Sequence, residues 1–214
     1  MDSKTKRITT TAMLCAVAYV AVVVGRVPVV LFLKYDPKDI IITLGGLIWG
    51  PMTSLTVSVI VSLIEMVTIS ENGVLGCIMN IISTCSFACT ASVIYKKKRT
   101  LPGAVTGLVT GSLMMVLAML LWNYLITPIY MGYPREAVAE LLLPAFLPFN
   151  LLKAGLNAGF TFLLYKPVIT ALRKASYISG AQNVQGRKPV GLWLFSGVIV
   201  ITCILLILSL NGII

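Results

Sequence analysis

Leu33-Lys34-Tyr35-Asp36-Pro37-Lys38-Asp39-Ile40 is a dense polar cluster set between two long apolar runs, and its surroundings decide the fold. In a soluble protein it would be an ordinary surface loop. The 214-residue chain, however, is 58% hydrophobic and 11% charged, with a mean hydropathy of +0.97. A soluble domain carries about 45–50% apolar and about 25% charged residues. Several runs exceed the roughly 18 apolar residues that mark a bilayer-spanning helix. The alternating strands of a membrane β-barrel are absent. The sequence therefore predicts an all-α integral membrane protein. The cluster is then either a solvated loop between spans or the lip of a binding site.

Outward from the cluster, the predicted spans are Ile8–Gly25, Asp39–Trp49, Met52–Thr68, Cys77–Tyr95, Leu101–Ile126 and Pro144–Leu172. Asp39–Trp49 is too short to cross upright, so it is expected to extend into its flanks or to sit inside the bundle. Asp39 is a candidate N-cap for it. Val29–Leu33 is apolar enough to dip back toward the membrane. Ser70–Gly73 reads as a turn and Thr127–Leu143 as a loop. The organisation expected is a six-helix membrane domain over residues 1–174, a polar linker over 175–190, and an additional C-terminal transmembrane helix over 191–214.

The net charge of +10 reads as a topological signal, with no nucleic-acid partner expected. With the N-terminus in the cytoplasm, the cytoplasmic side receives Lys4, Lys6, Arg7, the Lys96–Arg99 run, Lys166, Arg173, Lys174, Arg187 and Lys188. The outer side receives only Arg26, Lys34, Lys38 and Arg135, with most of the acids. The expected location is the cell membrane, multi-pass, with the C-terminus extracellular. No cleavable signal peptide is evident. The five cysteines lie in apolar runs and read as small packing residues.

Lys153 is the most informative single residue. A lysine in a membrane helix costs roughly 2.5–3.5 kcal/mol on insertion scales and is usually functional. Asn150 and Asn157 fall on the same helical face. The alternative is that Lys153 snorkels, or pairs with Glu65 inside the bundle. Asn123, among Trp122, Tyr124 and Tyr130, is a second polar insertion that needs a partner. Glu65 and Asn80 read as structural. Ala12 and Ala16, four apart, let another helix approach closely. Gly103, Gly107 and Gly111 likewise read as packing residues on one face. The chain has no His, no metal-ligand cluster, no Walker motif and no nucleophile elbow, so neither an enzyme nor an ATPase is expected.

Four segments carry a family resemblance: Phe32-Leu-Lys-Tyr-Asp-Pro-Lys-Asp-Ile40, Gly50-Pro51, Trp122-Asn-Tyr-Leu-Ile-Thr-Pro128 and Leu147-Pro-Phe-Asn-Leu-Leu-Lys-Ala154. Over residues 8–174 the chain resembles the substrate-binding (S) components of energy-coupling-factor (ECF) vitamin importers, of the riboflavin-specific type. The resemblance implies a six-helix bundle that captures riboflavin from outside. The implied partners are a transmembrane coupling subunit and two ATP-binding-cassette ATPases. Riboflavin is then the transported ligand and not a cofactor, and ATP is used by the partner subunits. The implied ligand-binding residues are Lys34, Tyr35, Asp36, Asn123, Asn150 and Lys153. Ala12 and Ala16 become the docking face for the coupling subunit. The seventh run is a departure from the family pattern. The rival readings are an S component for FMN, thiamine or pantothenate, a membrane enzyme using Lys153 and Glu65, and a purely structural subunit.

Overall fold

The structure, a computed structural model, describes residues 3–30, 33–70, 72–132, 134–174 and 190–210. The first helix, α1 (Ser3–Gly25), leads into two short strands, β1 (Val27–Val30) and β2 (Leu33–Tyr35). They pair antiparallel, with Val27 opposite Tyr35 and Pro28 opposite Lys34. The dip expected for Val29–Leu33 is therefore a hairpin. Valines fit extended backbone, and strand pairing satisfies main-chain groups that a bare re-entrant segment would leave open.

The short helix α2 (Lys38–Trp49) follows. Its N-cap position is held by Pro37, with no side-chain cap, so the N-cap expected at Asp39 is corrected. Asp39 lies in the first turn, fully buried, and its carboxylate faces other helices. A counter-ion on another helix outcompetes the cap. α2 is buried along most of its length and packs against helices on several sides, which explains how so short a helix sits at membrane depth. Gly50, at φ 104°, turns the chain as few residues but glycine can, and Pro51 opens α3 (Pro51–Thr68).

α4 (Gly73–Lys98) ends in Lys96, Lys97 and Lys98, cations well suited to the negative end of a helix. α5 (Leu101–Met131) starts at Thr100, whose hydroxyl accepts from the Gly103 N–H at 3.2 Å. It runs on through Pro128, beyond the expected end at Ile126. Most of the loop expected over Thr127–Leu143 is thus helical, because α6 (Arg135–Leu141) fills its second half. A wide π turn, Leu142–Phe146, then joins α6 to α7 (Leu147–Lys174). Pro148 lacks an N–H and its ring crowds the carbonyl of Pro144, so the regular ladder cannot run through this point. α8 (Val190–Leu210) completes the described chain.

Among the described residues, five helical segments are long and apolar enough to cross a membrane. α4 and α5 meet closely at Gly107 and Gly111, where a Cβ would come within 2.7 Å of the Ala91 carbonyl oxygen and 2.6 Å of that of Phe87. α8 lies along α7 and reaches β1. Val200 and Cys203 join Val29, Tyr35, Phe146 and Phe149 in one buried apolar cluster. At the other end of the bundle, Tyr95 and Tyr165 share a hydrogen bond within a second cluster, edge to face, with ring centroids 5.7 Å apart.

Candidate ligand-binding site

The hairpin, α2, α3, α4 and α7 bring three acids and three cations into the protein interior. Arg26 Nε donates to Asp36 Oδ1 at 2.7 Å, and Arg26 Nη2 lies 3.2 Å from Glu65 Oε2. Lys38 Nζ donates to Glu65 Oε1 at 2.5 Å, and Asn80 Nδ2 donates to Glu65 Oε2 at 3.1 Å. Lys153 Nζ lies 3.2 Å from Asp39 Oδ2 and 3.3 Å from the Ser83 hydroxyl. The pairing expected as an alternative, Lys153 with Glu65, is corrected: Glu65 is taken by Lys38 and Arg26, and Lys153 by Asp39. The reason is reach, since α2 stands between α3 and α7 and presents one charge to each. A buried charge needs a partner of this kind, and deleting one side of such a pair costs about 3–5 kcal/mol.

Burial alone would push the Asp36 carboxyl up, but Lys38, Lys153 and the Arg26 guanidinium together hold it below its ordinary value. Burial, aided by the Asp39 and Asp36 carboxylates, pushes the Tyr35 phenol up.

A small cavity opens beside this network. It is roofed by Leu33, Lys34 and Asp36 of the hairpin and walled by Asn80, Ser83, Asn150 and Lys153, with Met79, Met119 and Phe149 as its apolar lining. Its volume is about 50 Å³, little more than one or two waters fill. Ligand pockets run to about 300–1,000 Å³. A vitamin-sized molecule can enter only if the roof or walls move.

Four of the expected residues, Lys34, Asp36, Asn150 and Lys153, line this one cavity. Asn150 Nδ2 donates to the carbonyl of Phe146, the last residue of the π turn, at 2.8 Å. Tyr35 is not among the lining residues; it turns into the cluster with Val200 and Cys203. Asn123 lies one helical turn beyond the lining residue Met119. It is fully buried, its Oδ1 accepts from Thr127 at 3.2 Å, and its Nδ2 has no partner among the described residues. Ala12 and Ala16 lie far from the cavity, exposed in a groove of about 770 Å³ between α1 and α3.

Asp39, Ser83 and Thr84 were missed as members of the network. Asn80, Ser83 and Thr84 share one face of α4 by helical spacing, and that polar stripe in an apolar run was a readable signal. Asp39 could have been found by charge balance, since a membrane lysine calls for an acid on a neighbouring span.

Residues 6–165 match the family described as ECF transporter, substrate-specific component. The chain belongs to that family. Among its relatives, riboflavin transporter RibU of Staphylococcus aureus (strain TCH60) is 26% identical over 178 residues, covering 79% of this chain and 93% of that protein. Riboflavin transporter FmnP of Bacillus subtilis (strain 168) is 26% identical over 188 residues, covering 80% of this chain and 98% of that one. A solved structure described as the S component of a bacterial ECF transporter superposes with a TM-score of 0.68 at 26% identity. It covers 80% of this chain and 99% of its own. α8 lies beyond the residues that the family model matches.

Proposed function

We propose that this protein is the riboflavin-capturing subunit of an ATP-driven importer. It takes the vitamin at the outer face and delivers it inward with a transmembrane coupling subunit and two ATPases. One observation carries the reading: Asn150 and Lys153 of α7 and Ser83 of α4 converge on an apolar-lined cavity beneath a hairpin, in a family whose relatives are riboflavin transporters. An isoalloxazine ring is flat and apolar, with carbonyl and N–H groups along one edge, and its ribityl chain carries hydroxyls. An amide can both donate and accept, and an ammonium only donates. A greasy slot with a few placed polar groups suits such a ligand.

Asn123, whose buried Nδ2 has no partner among the described residues, is assigned to the same site once the pocket expands. Lys34 and Asp36 are the polar part of the roof, and Tyr35, which faces the apolar cluster, is assigned to the site only once the hairpin lifts. Exposed Ala12 and Ala16 form the docking face for the coupling subunit. The N-terminus is cytoplasmic and the C-terminus extracellular, because this topology puts the Lys96–Arg99 run inside and the roofed cavity outside. Residues 1–174 form the binding domain and α8 is an added helix.

Titration of the purified protein with riboflavin, followed by quenching of flavin fluorescence, tests the reading. Saturable binding is expected, and Asn150→Ala and Lys153→Ala should each weaken it by about tenfold or more. A preparation that ignores riboflavin but binds FMN, thiamine or pantothenate would replace the ligand and keep the architecture. Unchanged affinity in both variants would mean that the polar residues only bridge helices.

A further inference from the structure

Asp39 is fully buried and does not line the cavity, yet it touches Lys153, which does. Its Oδ2 lies 3.2 Å from Lys153 Nζ and accepts from Asn157 Nδ2 at 3.2 Å. Its Oδ1 accepts from the Thr84 hydroxyl at 2.6 Å, and its backbone carbonyl accepts from Thr43 at 2.6 Å. The carboxylate is thus fixed from α2, α4 and α7 at once. The other charged groups around it, Arg26, Asp36, Lys38 and Glu65, pair chiefly among themselves. Asp36 also lies within the electrostatic field of Lys153, but its bonded partner is Arg26. Lys153 has a long flexible arm with no fixed geometry of its own. Its ammonium reaches the cavity wall at one defined point because Asp39 and Ser83 hold it there.

We propose that Asp39 is a positioning residue for ligand capture: held by Thr84 and Asn157, it fixes the Lys153 ammonium where the ligand's oxygens meet it. The inference rests on reading α7 as the binding wall. Asp39 acts only through Lys153, so its effect must vanish when Lys153 is gone.

The test is riboflavin titration of Asp39→Asn, Lys153→Met and the double variant, with Tm recorded for each. The expected result is that Asp39→Asn weakens binding about tenfold, Asp39→Glu recovers part of the loss, and Asp39→Asn adds no more than about twofold in the Lys153→Met background. Equal losses in both backgrounds would make Asp39 a merely structural residue, and full affinity in Asp39→Asn alone would also overturn the proposal. If Lys153→Met itself binds normally, the reading of α7 fails instead. Should Asp39→Asn not fold, Thr84→Val keeps every charge and frees one carboxylate oxygen. A loss of affinity from Thr84→Val when Lys153 is present, and none in the Lys153→Met background, supports the proposal. The same loss in both, or none in either, overturns it.

Discussion

Three of the helix faces that carry small residues four apart meet different fates. Gly107 and Gly111 of α5 are filled by the backbone of α4. Gly155 and Gly159 of α7 are filled by side chains of α8, with Val200 and Cys203 nearest. Ala12 and Ala16 of α1 are left open, flooring a groove whose walls include Tyr19, Thr56 and Ile60. Small residues at this spacing permit close approach of another helix, but the spacing does not say which one. Where the occupant comes from the same chain, the seam is part of the fold. Where it does not, the face is available to a partner, and α1 is the docking side on the function proposed above.

The largest effect is expected there. Ala12→Trp fills the open groove with an indole and touches nothing in the binding cavity. In cells that carry the coupling subunit and ATPases, riboflavin uptake should be abolished, while the purified variant binds riboflavin with unchanged affinity. Normal uptake would move the docking face elsewhere and leave the α1 groove as ordinary lipid-facing surface.

At the α4/α5 seam the expected effect is on stability and not on transport. In Gly111→Ala the new methyl would stand 2.6 Å from the Phe87 carbonyl oxygen. That obstacle is backbone, so the two helices must separate. The cost is about 1–3 kcal/mol, only partly offset by the roughly 1 kcal/mol that alanine gains over glycine in a helix. Thermal unfolding in detergent should show the loss, at about 2–4 °C of Tm per kcal/mol for a chain of this size. A neutral result would mean that this seam is looser than its geometry implies.

The covered side of the bundle also has a polar fastening, and pH separates it from the apolar one. The hairpin is held by Val200 and Cys203 against Val29 and Tyr35, and by Asp36 against Arg26. The folded Asp36 carboxyl lies below its ordinary value. A depressed carboxyl contributes stability that is present above the unfolded value, about 3.9, and is lost as pH falls through the folded one. Thermal stability should therefore be flat between about pH 6 and 8 on this account and decline below about pH 4. In Asp36→Asn that decline should shrink. An unaltered acid limb in the variant would assign it to other carboxylates.

How much of this was legible in the sequence follows from what kind of force set each feature. Five of the expected spans were legible because length and apolarity fix them, whereas α2 and the apolar part of α8 are shorter than that signal requires. Asn150, Lys153 and Asn157 were legible because helical periodicity puts them on one face, and all three are buried on the interior side of α7. Asp39 was misread because a local rule, N-capping, was applied where a long-range ion pair decides. The hairpin was missed because its strands are too short to show alternation. The helical continuation through Pro128 was missed because proline signals a break in water, whereas inside a membrane protein neighbouring groups re-satisfy the freed carbonyl. The Gly155–Gly159 face went unremarked beside Lys153, and only its occupant, α8, gives it meaning.

That occupant provides the smallest and most discriminating expectation. In Gly159→Ala the new methyl would stand 2.7 Å from Val200 Cγ2, nearly the distance met at Gly111. The obstacle here is the end of a side chain, on a helix beyond the matched family residues. Valine is stiff at χ1 within a helix, so relief must come from α8 itself, which packs on α7 and β1 and not on α2 and can shift by tenths of an ångström. The strain should be offset by the gain in helix propensity, leaving stability within about 1 kcal/mol of the starting protein. A measured Tm that falls as far as in Gly111→Ala would show α8 to be as rigidly built in as α4, and would count against the proposal that α8 is only an addition to a binding domain over residues 1–174.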